Sequence, residues 1–230
     1  MLHLVLADTE LETVPREIAS HRVFAWQARR TGRRPTELVL DSNLHHTAMR
    51  RLKDADRRGR PDIAHVCLLL ALDSPLNREG LLRLYVHTRH NKLITIDPAT
   101  RPPPAYNRFI GLMEHLFLSG AAPPEEPLLR LEDASLEEII ARTKPAQVIS
   151  FSERGERKLF GELFEGTSKS DDVCVVVGGF PHGDFISNVR ELSDAIVCVD
   201  PDLLLAPTVV TRAIHAYEDA LGIHASRLKR

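Results

Sequence analysis

Two short segments of this 230-residue chain combine residue types suited to binding chemistry. The first, Gly178-Gly179-Phe180-Pro181-His182-Gly183-Asp184-Phe185, follows an apolar run and precedes an amphipathic stretch, where open α/β sheets place their ligands. Glycine there lets a ligand approach the main chain. The spacing is not Gly-x-Gly-x-x-Gly and lacks Gly-Lys-Ser/Thr, so neither a nicotinamide nor a nucleoside triphosphate is indicated, and a plain strand-to-helix turn is an equal alternative. The second is Arg60-Pro61-Asp62, directly before an apolar stretch. Asp62 suits the N-cap of a following helix. Alternatively, Arg60 holds a phosphate or base while Asp62 orients it or accepts a proton. Two further segments are ordinary on their own: residues 72–80 form a polar capped turn, and Arg108 is a solvated charge at the start of an amphipathic stretch.

The elements that must position these residues alternate between β-branched apolar runs and amphipathic stretches, an α/β signature. Strands are expected at 2–7, 37–40, 82–88, 93–96, 147–151, 173–177 and 195–199, and helices at 15–29, 43–56, 63–72, 107–118, 136–142 and 208–221. The runs at 173–177 and 196–199 are unbroken, as in central parallel strands covered on both faces. Arg89-His90-Asn91 between two strand-like runs reads as the turn of a β-hairpin, an insertion into the α/β frame. The proline-rich stretch 121–127 reads as an exposed connector.

Composition bounds the function. Thirty basic and 32 acidic residues give a formal charge of −2, with 43% apolar residues, enough for a real core. That near-neutral sum argues against a nucleic-acid partner until the charges are located. Between Arg29 and Arg60 there are ten basic residues against four acidic ones, whereas acids dominate from 121 to 140. No apolar run approaches the roughly 20 residues of a membrane span. The first eight residues read as a strand, and a cytoplasmic address is expected. Cys67, Cys174 and Cys198, each flanked by aliphatic residues, read as buried inert thiols. None of the eleven histidines falls in a familiar metal-ligand spacing, and adjacent His45 and His46 should face different ways, so no metal is expected.

In order along the chain, five segments resemble the Nep/Emg family of ribosome-biogenesis methyltransferases, in its archaeal branch: Asp41-Ser42-Asn43-Leu44-His45-His46-Thr47-Ala48-Met49; Arg60-Pro61-Asp62-Ile63; Leu72-Asp73-Ser74-Pro75-Leu76-Asn77; Tyr106-Asn107-Arg108-Phe109-Ile110-Gly111-Leu112-Met113; and the Gly178 to Phe185 loop. The resemblance implies a single SPOUT-type domain over 1–230: a parallel sheet with helices on both faces, a β-hairpin within a basic insertion at about 42–104, and a knotted cofactor-binding part at about 145–230. A trefoil knot comes from the resemblance alone, since periodicity cannot show one. It further implies a homodimer that uses S-adenosyl-L-methionine to methylate N1 of a pseudouridine in small-subunit ribosomal RNA.

By the same resemblance the cofactor loops are Val177, Gly178 and Gly183, and Cys198, Val199, Asp200, Pro201, Asp202, Leu203 and Leu204. Arg60 and Arg108 match RNA-holding positions, and Asp62 matches the acid beside them, a catalytic candidate either as general base or as the residue that orients Arg60. Where the family carries a further arginine this chain has Pro104, and Arg101 lies three residues upstream to replace it. The expected substrate is a nucleotide flipped from an RNA hairpin loop, gripped at its phosphates by the clustered arginines. One rival reading is an RNA-binding assembly factor whose methyl transfer is incidental. The other is a small-molecule enzyme, which should tolerate charge reversal at Arg57, Arg58 and Arg60.

Overall fold

Strand β1 (Leu2–Thr9) is buried along its whole length and splits its side chains between two cores. In the computed structural model, which describes residues 1–229, Leu2, Leu4 and Leu6 enter one apolar cluster, while Val5 and Ala7 enter a second on the opposite face. This two-residue alternation, apolar on both sides, places β1 in the middle of a covered sheet. Parallel neighbours flank it: β2 (Leu82–Thr88) on one side and β7 (Val173–Gly178) on the other.

The eight-stranded sheet runs β4-β5-β3-β2-β1-β7-β6-β8, where β3 is Lys92–Ile96, β4 Ala121–Ala122, β5 Leu129–Asp133, β6 Gln147–Arg157 and β8 Ala195–Cys198. β2, β1, β7, β6 and β8 are parallel, whereas β3, β5 and β4 join antiparallel. The sheet is therefore mixed, not parallel throughout. The expected hairpin is present, with Asn91 at φ 53 in its turn, and its first strand is β1's direct neighbour.

On one face lie α3 (Pro61–Asp73), α5 (Tyr106–Ser119) and α8 (Ala206–Ala220), sharing the larger core with Leu2, Leu4 and Leu6. On the other lie α6 (Leu136–Thr143) and the short α7 (Val189–Leu192). Sequence punctuation explains the boundaries. α6 starts with a Ser135/Glu138 capping box, and α5 stops where Gly120 turns left-handed. α1 (Val23–Thr31) and α2 (Ser42–Met49) cover a third small core around Phe24, Leu38, Leu40 and Met49. A short α4 (Pro75–Arg78) follows α3, and α9 (Ile223–Arg227) closes the described chain.

Several expectations need correction. Residues 37–40 are not a strand: Pro35–Glu37 is a 3-10 turn, and Val39 makes a single bridge to Thr13. Leu38 and Leu40 face the satellite core and Val39 the main core, with no partner strand to form a ladder. The helix expected from 15 forms only from Val23, and α2 ends at Met49 rather than at 56, where turns take over. All three cysteines are buried and free, and burial pushes the Cys67 and Cys174 thiols up to about 12. Among the described residues no helix is long and apolar enough to cross a membrane.

Candidate active site

The parallel strands β7, β6 and β8 end around one cleft of about 450 Å³, within the range of small-molecule sites. It is floored by Val177, Gly178, Val197 and Cys198 and walled by the loops after β7 and β8. Of the ten expected cofactor residues, nine line it. Pro201 does not: it is exposed in a turn closed by Asp202 N–H donating to Asp200 Oδ1, so that carboxylate shapes the loop locally. Arg60, Asp62, Ile63 and Val66 from the start of α3 line the opposite wall, so segments more than 110 residues apart in sequence meet in one cavity.

Close packing sets the glycine loop. A Cβ on Gly179 would fall 2.2 Å from Thr9 Oγ1, so only glycine lets this loop lie against the end of β1. Gly183 adopts φ 88, a left-handed conformation that turns the loop back toward α3. Arg57 holds the loop from behind. Its guanidinium stacks 3.9 Å over the Phe180 ring and donates from Nη1 to the Asp184 carbonyl at 2.5 Å and from Nε to Glu10 Oε1 at 2.6 Å. Asp8, at the end of β1, accepts from the N–H groups of Ile186 and Ser187 and fixes the exit of the same loop.

Asp62 does not cap α3. Arg60 occupies the N-cap position with Pro61 as the first helical residue, which suits a proline because that N–H has no helical partner. Freed from capping, the Asp62 carboxylate takes a bidentate pair from Arg60, Nε to Oδ1 at 2.9 Å and Nη2 to Oδ2 at 2.7 Å. That hydrogen-bonded carboxylate raises the Arg60 guanidinium above its ordinary value, keeping it a permanent cation at the rim. Both side chains are about one-third exposed, reachable by a ligand yet held in place.

Arg101, Pro104 and Arg108 are exposed and do not line the cleft. They sit on a neighbouring surface tied to it by two contacts. His65 in α3 bonds the Pro103 carbonyl at 2.8 Å and stacks on Phe109, and Tyr106 donates its hydroxyl to Asp41 Oδ2 at 2.7 Å. Burial and the Asp41 carboxylate push the Tyr106 phenol far above its ordinary range, so it is a neutral donor. Arg101 donates to the Pro98 and Thr100 carbonyls. The Arg108 guanidinium has no partner among the described residues.

Some contributors had no signal of their own in the sequence. Phe151, Ser152 and Glu153 enter from β6, and Leu205, Ala206, Pro207 and Val209 from the start of α8. Glu10 and Glu12 are fully or nearly buried and absorb arginines that local charge counting leaves free. A second cleft of about 730 Å³ is larger but shares only Val199 and Asp200 with this one and contains none of the glycine-loop residues.

This arrangement, a cleft at the carboxyl ends of parallel strands with an arginine-carboxylate pair on its rim, defines an α/β enzyme site for a small-molecule ligand. The chain matches the family model described as EMG1/NEP1 methyltransferase over residues 4–218. It is 48% identical over 226 residues to the ribosomal RNA small subunit methyltransferase Nep1 of Thermococcus kodakarensis, covering 97% of this chain and 100% of that one. The protein of the same name from Pyrococcus furiosus is 47% identical over 220 residues, covering 94% and 96%. The crystal structure of Archaeoglobus fulgidus Nep1 bound to S-adenosylhomocysteine superposes with a TM-score of 0.83 at 38% identity, covering 95% of this chain and 97% of that one. The chain belongs to the EMG1/NEP1 methyltransferase family.

Proposed function

We propose that this protein transfers a methyl group from S-adenosyl-L-methionine to N1 of a pseudouridine in small-subunit ribosomal RNA, presented in a hairpin loop. The observation that carries the reading is the convergence of the glycine loop, the loop after β8 and the Arg60–Asp62 pair on one cleft. Its lining suits a sulfonium cofactor. Asp62, Glu153, Asp184, Asp200 and Asp202 surround it, against Arg60 and His182 as the only basic residues, so a positive centre is favoured within and a phosphate only at the Arg60 rim. When bound, S-adenosyl-L-methionine supplies the electrophilic methyl carbon.

The chain's task is then to hold, orient and keep dry. The apolar floor of Val177 and Val197 excludes water, and Phe180 and Phe185, packed edge to face at 5.3 Å, stiffen the loop above it. Arg60 grips the RNA next to the target base. Asp62 aims Arg60 first, because both carboxylate oxygens already accept from that guanidinium. As a general base it takes the N1 proton on the second lone pair that each oxygen keeps. Arg101 and Arg108 take flanking phosphates, with Arg101 in the role of the arginine that Pro104 replaces. Following the family, we also propose one domain over 1–230, a trefoil knot in its C-terminal part and a cytoplasmic homodimer.

The test is label transfer from tritiated S-adenosyl-L-methionine to small-subunit RNA hairpins made with and without pseudouridine. Incorporation dependent on pseudouridine is expected. Tight RNA binding with no label under any condition would favour the assembly-factor reading, and S-adenosylhomocysteine seated away from Gly178, Gly183 and residues 198–204 would overturn the site.

A further inference from the structure

The turn between α8 and α9 gathers side chains that the methyl-transfer site does not use. His215 and Asp219 lie one helical turn apart on α8, with His215 Nε2 3.5 Å from Asp219 Oδ2. Gly222, at φ 60, reverses the chain, and α9 brings the His224 ring to 5.4 Å from that of His215. One donor atom from each of His215, Asp219 and His224 lies within 4.8 Å of the other two.

The local chemistry is incomplete as a set of hydrogen bonds. His224 Nε2 is shut off from solvent and has no hydrogen-bond partner among the described residues. It lies 3.2 Å from Glu218 Oε2, but without the alignment of a hydrogen bond. Glu218 is itself buried and anchored, because its Oε1 accepts the Leu76 N–H at 2.7 Å. Its free oxygen therefore stays beside both imidazoles, 3.9 Å from His215 Nδ1. Two carboxylates and two imidazoles, one with an orphaned inner nitrogen, make a donor set for a cation at a turn where His215 and Asp219 are open to solvent.

We propose that His215, Asp219 and His224 bind a divalent transition-metal ion of zinc's type, with the anchored Glu218 carboxylate beside them adding negative charge. Ligand atoms around a tetrahedral zinc, with bonds of about 2.0–2.1 Å, lie roughly 3.3 Å apart, which small side-chain rotations can reach from the present spacing. Mixed imidazole and carboxylate donors suit zinc, nickel, copper or cobalt and disfavour calcium and magnesium, which take all-oxygen sets. The ion pins α9 to α8, and through the Arg227–Glu79 ion pair and the Glu218–Leu76 bond it pins both to α4. Since His215 and Asp219 also border the larger cleft, its remaining coordination positions face outward. The site is structural and lies apart from the methyl-transfer cleft.

The test uses the full chain, stripped with a chelator and titrated with zinc chloride by calorimetry, with cobalt(II) as a coloured stand-in. The expected result is one zinc per chain, cobalt absorption of a site with two nitrogen ligands, and a melting temperature raised by about 4 °C or more at saturating metal. His224→Ala and His215→Ala should each weaken binding by about 100-fold and abolish the thermal shift, while the exposed His115→Ala leaves both unchanged. If the alanine variants fail to fold, Asp219→Asn and X-ray absorption on the wild-type chain carry the test, with two imidazoles required in the first coordination sphere. No binding at about 100 µM zinc overturns the proposal, since structural zinc sites bind far more tightly than that. Equal binding by His224→Ala and wild type also overturns it, as an adventitious metal only.

Discussion

The arginines of the basic stretch divide into two populations that sequence alone cannot tell apart. Arg57, Arg58 and Arg89 are turned inward: Arg57 and Arg89 share the fully buried Glu10, and Arg58 forms a bidentate pair with Glu12, which His90 also contacts at 2.9 Å. Arg60, Arg101 and Arg108 reach solvent. The first group is neutralised inside the protein and cannot release counterions from RNA; Arg101 and Arg108 keep their charge available, and Arg60, paired with Asp62 at the exposed rim, offers its own by exchanging that carboxylate for a phosphate. Glu10 joins the two halves of the site. Its carboxylate holds Arg57 against the glycine loop, its N–H donates to the Gly179 carbonyl at 3.1 Å, and its carbonyl accepts the Arg60 N–H at 2.9 Å. Buried charge here shapes the cleft, and exposed charge meets the ligand.

The sharpest way to break this division is to remove the shared acid. Glu10→Ala leaves the buried Arg57 guanidinium without its counter-charge and Arg89 with Asp54 alone, and should lower unfolding stability by about 3–5 kcal/mol, read by denaturant titration. Arg108→Ala should move it by less than about 0.5 kcal/mol. If the two changes proved equal, the inward and outward populations would not be distinct. Glu12 adds a pH signature. Burial opposes its ionisation, but the hydrogen bonds from Arg58 and His90 outweigh it and hold the carboxyl below its ordinary value. That stabilisation is present above the unfolded-state value near 4.5 and is lost as pH falls through the lower folded one.

A second pH-linked group lies beneath the ligand-facing side. His45 Nδ1 accepts the Asp41 N–H at 3.0 Å and its Nε2 faces Gln27 Oε1 at 2.9 Å, a pattern that requires the neutral ring with its proton on Nε2. Burial lowers its value from 6.5 to about 4. A depressed histidine excludes a proton that the unfolded chain binds, so its stabilisation is complete above pH 6.5 and fades as pH falls toward 4. The loss should be on the order of 3 kcal/mol. His45→Asn, which keeps an acceptor for the Asp41 N–H, should flatten that limb, and an unchanged limb would place the proton uptake elsewhere.

The rim pair sharpens the comparison in activity rather than stability. Arg60→Ala should weaken RNA binding by about 10- to 100-fold, the range of one charge-assisted contact, with the melting temperature little changed. Asp62→Asn separates its two roles. As an aiming residue its loss should raise KM for RNA and spare kcat, whereas a general base would show as a kcat loss at saturating RNA.

Legibility followed the range of the forces involved. The strands 173–177 and 195–199 and the loops that follow them were readable because continuous apolar runs bounded by glycine or aspartate are local signals. β5 was not: three of the five residues in Leu-Arg-Leu-Glu-Asp are charged, and only pairing with β3 and β4 makes it a strand. The reverse error at 37–40 took apolar burial for a ladder that has no partner. His45 and His46 do face opposite ways, one buried and one exposed, as helical spacing requires. Counting charge between residues 29 and 60 overstated the exposed positive face, because the acids that cancel Arg57 and Arg58 lie at 10 and 12, outside that window and across the fold. The His215, Asp219 and His224 group was invisible for a similar reason, since a left-handed glycine interrupts its helical spacing.

The smallest effect is also the most direct measure of the division. RNA affinity should fall with salt at a slope set by the number of phosphates neutralised, about 0.7 per contact for single-stranded segments. An exposed, unpaired guanidinium contributes one such contact, so Arg108→Ala should lower the slope of log K against log salt by about 0.7 while weakening binding similarly across loop sequences. Arg58→Met should leave that slope unchanged even if it destabilises the fold, because Arg58 already spends its charge on Glu12. Arg101 belongs with Arg108: it is exposed, and the two carbonyls its guanidinium donates to leave its positive charge intact, so Arg101→Ala should reduce the slope as Arg108→Ala does. A slope unmoved by both Arg101→Ala and Arg108→Ala would remove this surface from the RNA interface and leave Arg60 to carry it alone.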